Sequence, residues 1–200
     1  MAIEPAFRKF IVVVMGSSSS GVTEFINQVT ELQPQTLPNP NPSDTLKPLD
    51  YGRLTVDNAN VIYLYGLSEE SPLSAWTFLF DRDDYIGVVA IVDSTRLDSF
   101  AIGKTLINNI DGDIPYLMVA NKQDLEGAWD LDAIRIALNL HSTIPILGCS
   151  AKNGTGVREA VLTIVDILLT PDEDDDWDEH ELADDEELHS ADWENNVGAD

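Results

Sequence analysis

Positive charge is what this 200-residue chain has least of: 11 Lys and Arg stand against 36 Asp and Glu, for a net charge of -25. No basic stripe is available to meet nucleic-acid phosphates, and an anionic membrane surface would repel the chain for the same reason. A single cysteine, Cys149, excludes an internal disulfide and suits a reducing compartment. It ends an apolar strand candidate, so a buried and inert thiol is expected there. Long apolar runs are missing too. Phe10–Met15 and Ile86–Val92 fall far short of the roughly 18 residues that span a bilayer. Arg8 and Lys9 before an apolar run imitate a secretory leader, but Glu4 precedes them and no small-residue cleavage site follows. Ala2 stands where N-myristoylation needs a glycine, and no cysteine lies near the C-terminus for prenylation. The expectation is a soluble, cytoplasmic protein with no membrane anchor and no nucleic-acid partner.

The acids are unevenly placed. Residues 171–200 hold 15 of the 36 and no Lys or Arg, whereas the first 170 residues carry 21 acids against 11 bases. Pro171 stops the preceding helical pattern, and the acidic run after it cannot bury enough apolar surface to fold alone. Residues 171–200 therefore read as a disordered acidic tail. Trp177, Leu182, Leu188 and Trp193 are interleaved with its carboxylates. It is either a solubilising tail or a segment that docks on a basic or apolar partner surface.

Strand and helix patterns alternate in the body. Strand candidates are Phe10–Met15, Tyr51–Asp57, Val61–Tyr65, Ile86–Val92, Tyr116–Ala120 and Ile144–Cys149. Helical stretches include Gly21–Leu32, with Phe25, Val29 and Leu32 on one face, and Leu131–Leu140, carrying Ile134, Ile136 and Leu138. Val157–Leu169 carries Val161, Ile164, Val165 and Leu168 in the same way. Val56–Asn60 reads as a hairpin turn, which makes the second and third strands antiparallel neighbours. Continuous Val/Ile-rich strands separated by helices indicate an α/β domain with a six-stranded, mostly parallel sheet covered by helices on both faces. The domain is expected over residues 9–170, behind a short N-terminal extension, 1–8. Residues 33–50 hold five of the ten prolines and read as a long exposed loop, of a length that is usually functional.

Two motifs carry chemistry. The first strand runs into Gly16-Ser17-Ser18-Ser19-Ser20-Gly21-Val22-Thr23, a G-x-x-x-x-G-K-[ST] phosphate loop with valine in place of lysine. Gly16 and Gly21 allow successive backbone N–H groups to face a phosphate at a helix N-terminus. Thr23 stands where a hydroxyl would bind Mg²⁺. Val22 removes the ammonium that would touch the phosphates and offset charge developing on them. Without that lysine, the run also fits a plain loop between strand and helix, but its placement favours the phosphate reading.

The second motif, Asn121-Lys122-Gln123-Asp124, follows an apolar strand and fits the N-K-x-D pattern that reads guanine. Asp124 can accept from guanine N1–H and the exocyclic amine, Asn121 can give an amide to N7, and the Lys122 stem can pack over the ring. Adenine offers the carboxylate no such paired donors. Ser150-Ala151-Lys152 follows the next strand and is placed to give a backbone N–H to the guanine oxygen.

With these motifs the chain resembles the Ras/Arf-like small GTPases from Lys9 to Leu169. It looks most like the bacterial Ras-like branch of gliding-motility and conservon GTPases. The residues carrying that likeness are Pro48-Leu49-Asp50-Tyr51-Gly52 and Asn60–Glu70. The resemblance implies a P-loop NTPase, Ras-like G domain with GTP or GDP and Mg²⁺ as ligands, and residues 33–50 as its first switch. Roadblock-type regulators and signalling proteins are the partners it implies. The departures all lie on the phosphate side. Besides Val22, the glycine that approaches the γ-phosphate aligns with Glu69, and the glutamine that orients attacking water aligns with Glu70. The switch-one threonine aligns with Leu46, or with Thr45 if the register shifts by one. Lys47 is the best substitute cation in sequence. The expectation is a regulatory guanine-nucleotide-binding protein with little or no intrinsic GTP hydrolysis. A nucleotide-free pseudoGTPase scaffold and a GTPase completed by a partner residue remain the alternatives.

Overall fold

The computed structural model describes residues 8–30, 35–37, 49–57, 59–71, 75, 79, 85–110 and 112–170. The acidic tail, most of the extension 1–8 and most of the proline-rich loop, with Thr45, Leu46 and Lys47, lie outside the described residues.

The strands are β1 (Arg8–Gly16), β2 (Gln35–Leu37), β3 (Leu49–Thr55), β4 (Asn60–Ser68), β5 (Tyr85–Asp93), β6 (Tyr116–Asn121) and β7 (Ile146–Gly148). They form one sheet in the order β2-β3-β4-β1-β5-β6-β7. The β2/β3 and β3/β4 pairs are antiparallel and every other pair is parallel. All six expected strands form. A seventh, the three-residue β2, adds at the edge from inside the segment that composition marks as loop. The helices are α1 (Val22–Val29), α2 (Leu97–Ile107), α3 (Leu131–Leu138) and α4 (Val157–Leu169). Ala75 and Leu79 are helical and buried as well.

Both faces of the sheet are covered, and β1 shows why its sequence is apolar without alternation. Phe10, Val12 and Val14 pack with Phe25 and Ile26 of α1 and Val161 and Ile164 of α4. Ile11, Val13 and Met15 point the other way, into a cluster with Phe100, Leu106, Ile134 and Leu138 of α2 and α3. A strand buried on both sides has no place for a polar residue. The β3–β4 turn forms where expected. Asp57 Oδ1 accepts from the N–H groups of Ala59 and Asn60 at 2.7 and 2.8 Å, which draws Val56 and Asp57 out of the strand and into the turn.

Some expected boundaries shift for local reasons. Arg8 belongs to β1, its N–H bonded to Ala59 O at 2.7 Å, rather than to an extension. α1 ends at Val29 because Thr30 is extended, short of the expected Leu32. α3 ends at Leu138 because Asn139 turns left-handed, with φ 54°. Ile136, expected on the apolar face of α3, is 79% exposed. Two positions from Ile134 it lies roughly 200° round the helix, on the solvent side.

Candidate functional site

Because β4, β1, β5, β6 and β7 run parallel, the loops leaving their C-terminal ends lie side by side along one edge of the sheet. Gly16 pairs with Ser68 and Ile91, Asp93 with Asn121, and Ala120 with Gly148. Residues distant in sequence are thereby brought to one cavity of about 360 Å³. Ser18, Ser19, Gly21 and Glu24 wall its phosphate-loop side. Asn121, Lys122, Asp124, Leu125, Ala151 and Lys152 wall the other. The two motifs read from sequence therefore share one site, of a size suited to a small ligand.

The phosphate loop is held from within. Ser20 is buried, and both its N–H and its hydroxyl bond Ser17 O, at 2.9 and 2.8 Å. The buried Ser17 hydroxyl lies 3.3 Å from that of Ser99 at the start of α2. Gly21 has φ 97° and caps α1 with no side chain. A Cβ there would come within 2.4 Å of Asn121 Nδ2, so glycine is required by both conformation and space. Asn121 is the staple between the motifs. Its Nδ2 donates to Ser20 O at 2.7 Å, and its Oδ1 accepts from Ala151 N at 2.8 Å and Cys149 Sγ at 3.3 Å. Of the Ser150-Ala151-Lys152 segment, Ala151 gives its N–H to Asn121, and Ala151 and Lys152 line the cavity. Asn121 keeps one amide hydrogen beyond that given to Ser20.

Lys122 has φ 68°, and its Nζ lies 2.6 Å from Asp93 Oδ2 at the end of β5. Burial pushes the Asp93 carboxyl up, but hydrogen bonds from Lys122 and Thr95 and the lysine's charge outweigh it, so it titrates below the ordinary carboxylate value. Gln123 ties the loop to its neighbours, donating to Ser94 Oγ at 2.8 Å and Trp129 O at 3.1 Å. Asp124 is exposed and faces the cavity, as does Lys152. Cys149 is buried as expected, and burial pushes its thiol up to about 12. Ser150 Oγ is buried with no hydrogen-bond partner.

The phosphate side differs. Val22 is buried in the core with Phe25, Ile26 and Leu64, and a Cβ on Gly66 would lie 3.0 Å from its Cγ1. The position that would carry the cation thus serves packing under the loop. Glu69, after β4, turns its carboxylate onto the loop. Ser18 N–H donates to Oε1 and Oε2 at 3.1 and 2.8 Å, and Ser18 Oγ to Oε1 at 3.2 Å. The Thr23 hydroxyl donates to Asp50 Oδ2 of β3 at 2.5 Å. Thr23 and Asp50 form a hydroxyl–carboxylate oxygen pair of the kind Mg²⁺ accepts when phosphates and water complete its shell. Among the described residues, no cluster of three or more His, Cys, Asp or Glu supplies a cage without them. The cavity thus presents the Asp124 carboxylate and Lys152 at one end, while at the other Ser18 and Thr23 are bonded to Glu69 and Asp50.

Sequence reasoning missed Asp93, Ser99, Asp50 and Glu24 as site residues. The available signal was their position: Asp93-Ser94-Thr95 is a polar cluster directly after an apolar strand, the place where parallel sheets build sites. No described helix is long and apolar enough to cross a membrane.

The profile of the ADP-ribosylation factor family matches residues 5–168. ADP-ribosylation factor-like protein 3 of Chlamydomonas reinhardtii is 32% identical over 158 residues, covering 75% of this chain and 85% of the relative. ADP-ribosylation factor-like protein 2 of Arabidopsis thaliana is 28% identical over 158 residues, 74% and 81% of the two chains. ADP-ribosylation factor-related protein 1 of Rattus norvegicus is 25% identical over 176 residues, 80% and 86%. With a mostly parallel sheet, a phosphate-loop-like segment and a guanine-type motif converging on one cavity, the chain belongs to the ADP-ribosylation factor family of small GTPases, which bind guanine nucleotide.

Proposed function

We propose that this protein is a regulatory guanine-nucleotide-binding protein with little or no intrinsic GTP hydrolysis. One observation carries the reading. Asp124 and Lys152 face the cavity from its base end, whereas the Ser18 N–H and hydroxyl and the Thr23 hydroxyl on the phosphate side are met by Glu69 and Asp50. In this reading Asp124 takes the paired donors of guanine, and Asn121 gives its remaining amide hydrogen to the ring. The backbone of Gly16–Gly21 holds phosphate, and Thr23 with Asp50 holds Mg²⁺. Bound Mg²⁺ would supply the charge neutralisation that Val22 cannot. Hydrolysis is weak because transfer chemistry rests on positioned positive charge, and Glu69 and Glu70 put negative charge at that end.

We assign the chain to the bacterial Ras-like branch on Pro48–Gly52 and Asn60–Glu70, and propose regulatory proteins, roadblock-type ones first, as its partners. A nucleotide-free scaffold is the second reading, favoured by the bonds that Glu69 and Asp50 already make to Ser18 and Thr23. Binding of labelled guanine and adenine nucleotides with Mg²⁺, followed by multiple-turnover GTP hydrolysis, tests the proposal. Guanine-selective binding with background turnover is expected. Turnover at a rate ordinary for small GTPases contradicts the inactivity, and equal or absent binding of both bases promotes the scaffold.

A further inference from the structure

We propose that Glu69 is a built-in surrogate for a terminal phosphate, which makes the site selective for a nucleoside diphosphate over the triphosphate. This rests on the guanine-nucleotide reading of the same cavity and adds which phosphate state it accepts.

Topology fixes the order of groups along the site. The base-reading residues leave β6 and β7, Ser18 leaves β1, and Glu69 leaves β4 on the far side of β1. A phosphate chain running from the base across the loop therefore meets Glu69 last. At that end the carboxylate already holds the Ser18 N–H through both oxygens and the Ser18 hydroxyl through one. Two oxygens of one anion on an N–H and an O–H of a phosphate loop is the contact a terminal phosphate would make.

The arm that carries Glu69 is fixed locally. Ser71 N–H bonds Ser68 O at 2.9 Å, Ser68 N–H bonds Ser71 Oγ at 2.9 Å, and Glu70 N–H bonds Ser68 Oγ at 3.3 Å. Val22 is in the core, and Asp50 places a further carboxylate against Thr23 on the β4 side. A third phosphate must displace Glu69 from Ser18 and then lie beside it; a diphosphate ends before that point.

The experiment is calorimetric titration of the full-length chain, stripped of nucleotide, with GDP and with the non-hydrolysable triphosphate GppNHp, both with Mg²⁺. Wild type, Glu69→Gly and Glu69→Gln are compared; the glutamine keeps the length and an oxygen acceptor but removes the charge. Wild type is expected to bind GDP at least about tenfold more tightly than GppNHp. Glu69→Gly should narrow that ratio to within about threefold by tightening GppNHp, with Glu69→Gln in between. Equal wild-type affinity for the two nucleotides, or a preference that persists in both variants, overturns the surrogate and leaves the guanine reading standing. No guanine-nucleotide binding by any of the three overturns both.

Discussion

The two ends of the cavity are built from the same kind of material, polar groups at strand C-termini, yet they are left in opposite states. At the base end, internal hydrogen bonds do the positioning and functional groups remain over. Asn121 ties Ser20 to Ala151, Asp93 holds Lys122, and Asp124 and Lys152 still face the cavity. At the phosphate end, internal hydrogen bonds engage donors of the site itself. Ser18 is bonded to Glu69, Thr23 to Asp50, and the residue at the lysine position lies in the core. Departure from a motif is thus more than loss. Val22 packs in the core, and Glu69 holds the Ser18 donors that the proposal gives to a terminal phosphate.

Substitutions at the two ends should behave differently. The largest effect is expected from Asp124→Ala. Removing the acceptor of two guanine donors should erase guanine-over-adenine preference, a change of roughly a hundredfold in competition binding. Asn121→Ala should come next and act on the fold as well as the ligand. It leaves Ser20 O and Ala151 N–H buried without their partner, at about 1–3 kcal/mol each, visible as a lowered midpoint in urea unfolding. A midpoint within error of wild type would show that the staple is not structural.

Val22→Lys should tighten nucleotide about tenfold by supplying a charged donor, while GTP turnover stays at background because Glu69 and Glu70 remain. It should also lower the melting temperature, since the ammonium must leave a site packed by Phe25 and Ile26. Fast turnover in this variant alone would place the whole defect at one residue. The Asp93–Lys122 pair sets a smaller, pH-dependent effect. Asp93 titrates below its ordinary value, so its stabilisation is complete at neutral pH and is lost as pH falls through the folded-state value, below 3.8. Asp93→Asn should therefore be less stable than wild type at pH 7, with the gap closing in strong acid, by thermal melts across pH. The smallest effect is expected from ending the chain at Thr170: removing residues 171–200 should leave the melting temperature within error, and a shift of several degrees would make that segment integral to the domain.

The strands were legible because burial on both faces leaves an unbroken Val/Ile signature, as in Phe10–Met15 and Ile86–Val92. The Asn121–Asp124 segment was legible as a local pattern at a strand end, and the structure brings it to the cavity. What escaped was set by register between distant segments. Glu69 reaches Ser18 only because β1 and β4 pair in parallel with Gly16 opposite Ser68, and Asp93 reaches Lys122 because Asp93 stands opposite Asn121. No local spacing encodes either contact. The three-residue β2 was hidden by the prolines around it, and Ile136 was misplaced because apolar character alone was read where angular position decides.

The most direct test of a working base end beside a self-occupied phosphate end is to ask what the protein carries. Full-length protein purified without added nucleotide is denatured, and the released small molecules are separated by ion-exchange chromatography. The account predicts guanine nucleotide, with GDP far above GTP and no adenine nucleotide. Adenine nucleotide in the released fraction, or an empty protein that also takes up no guanine nucleotide at millimolar concentration, would contradict it.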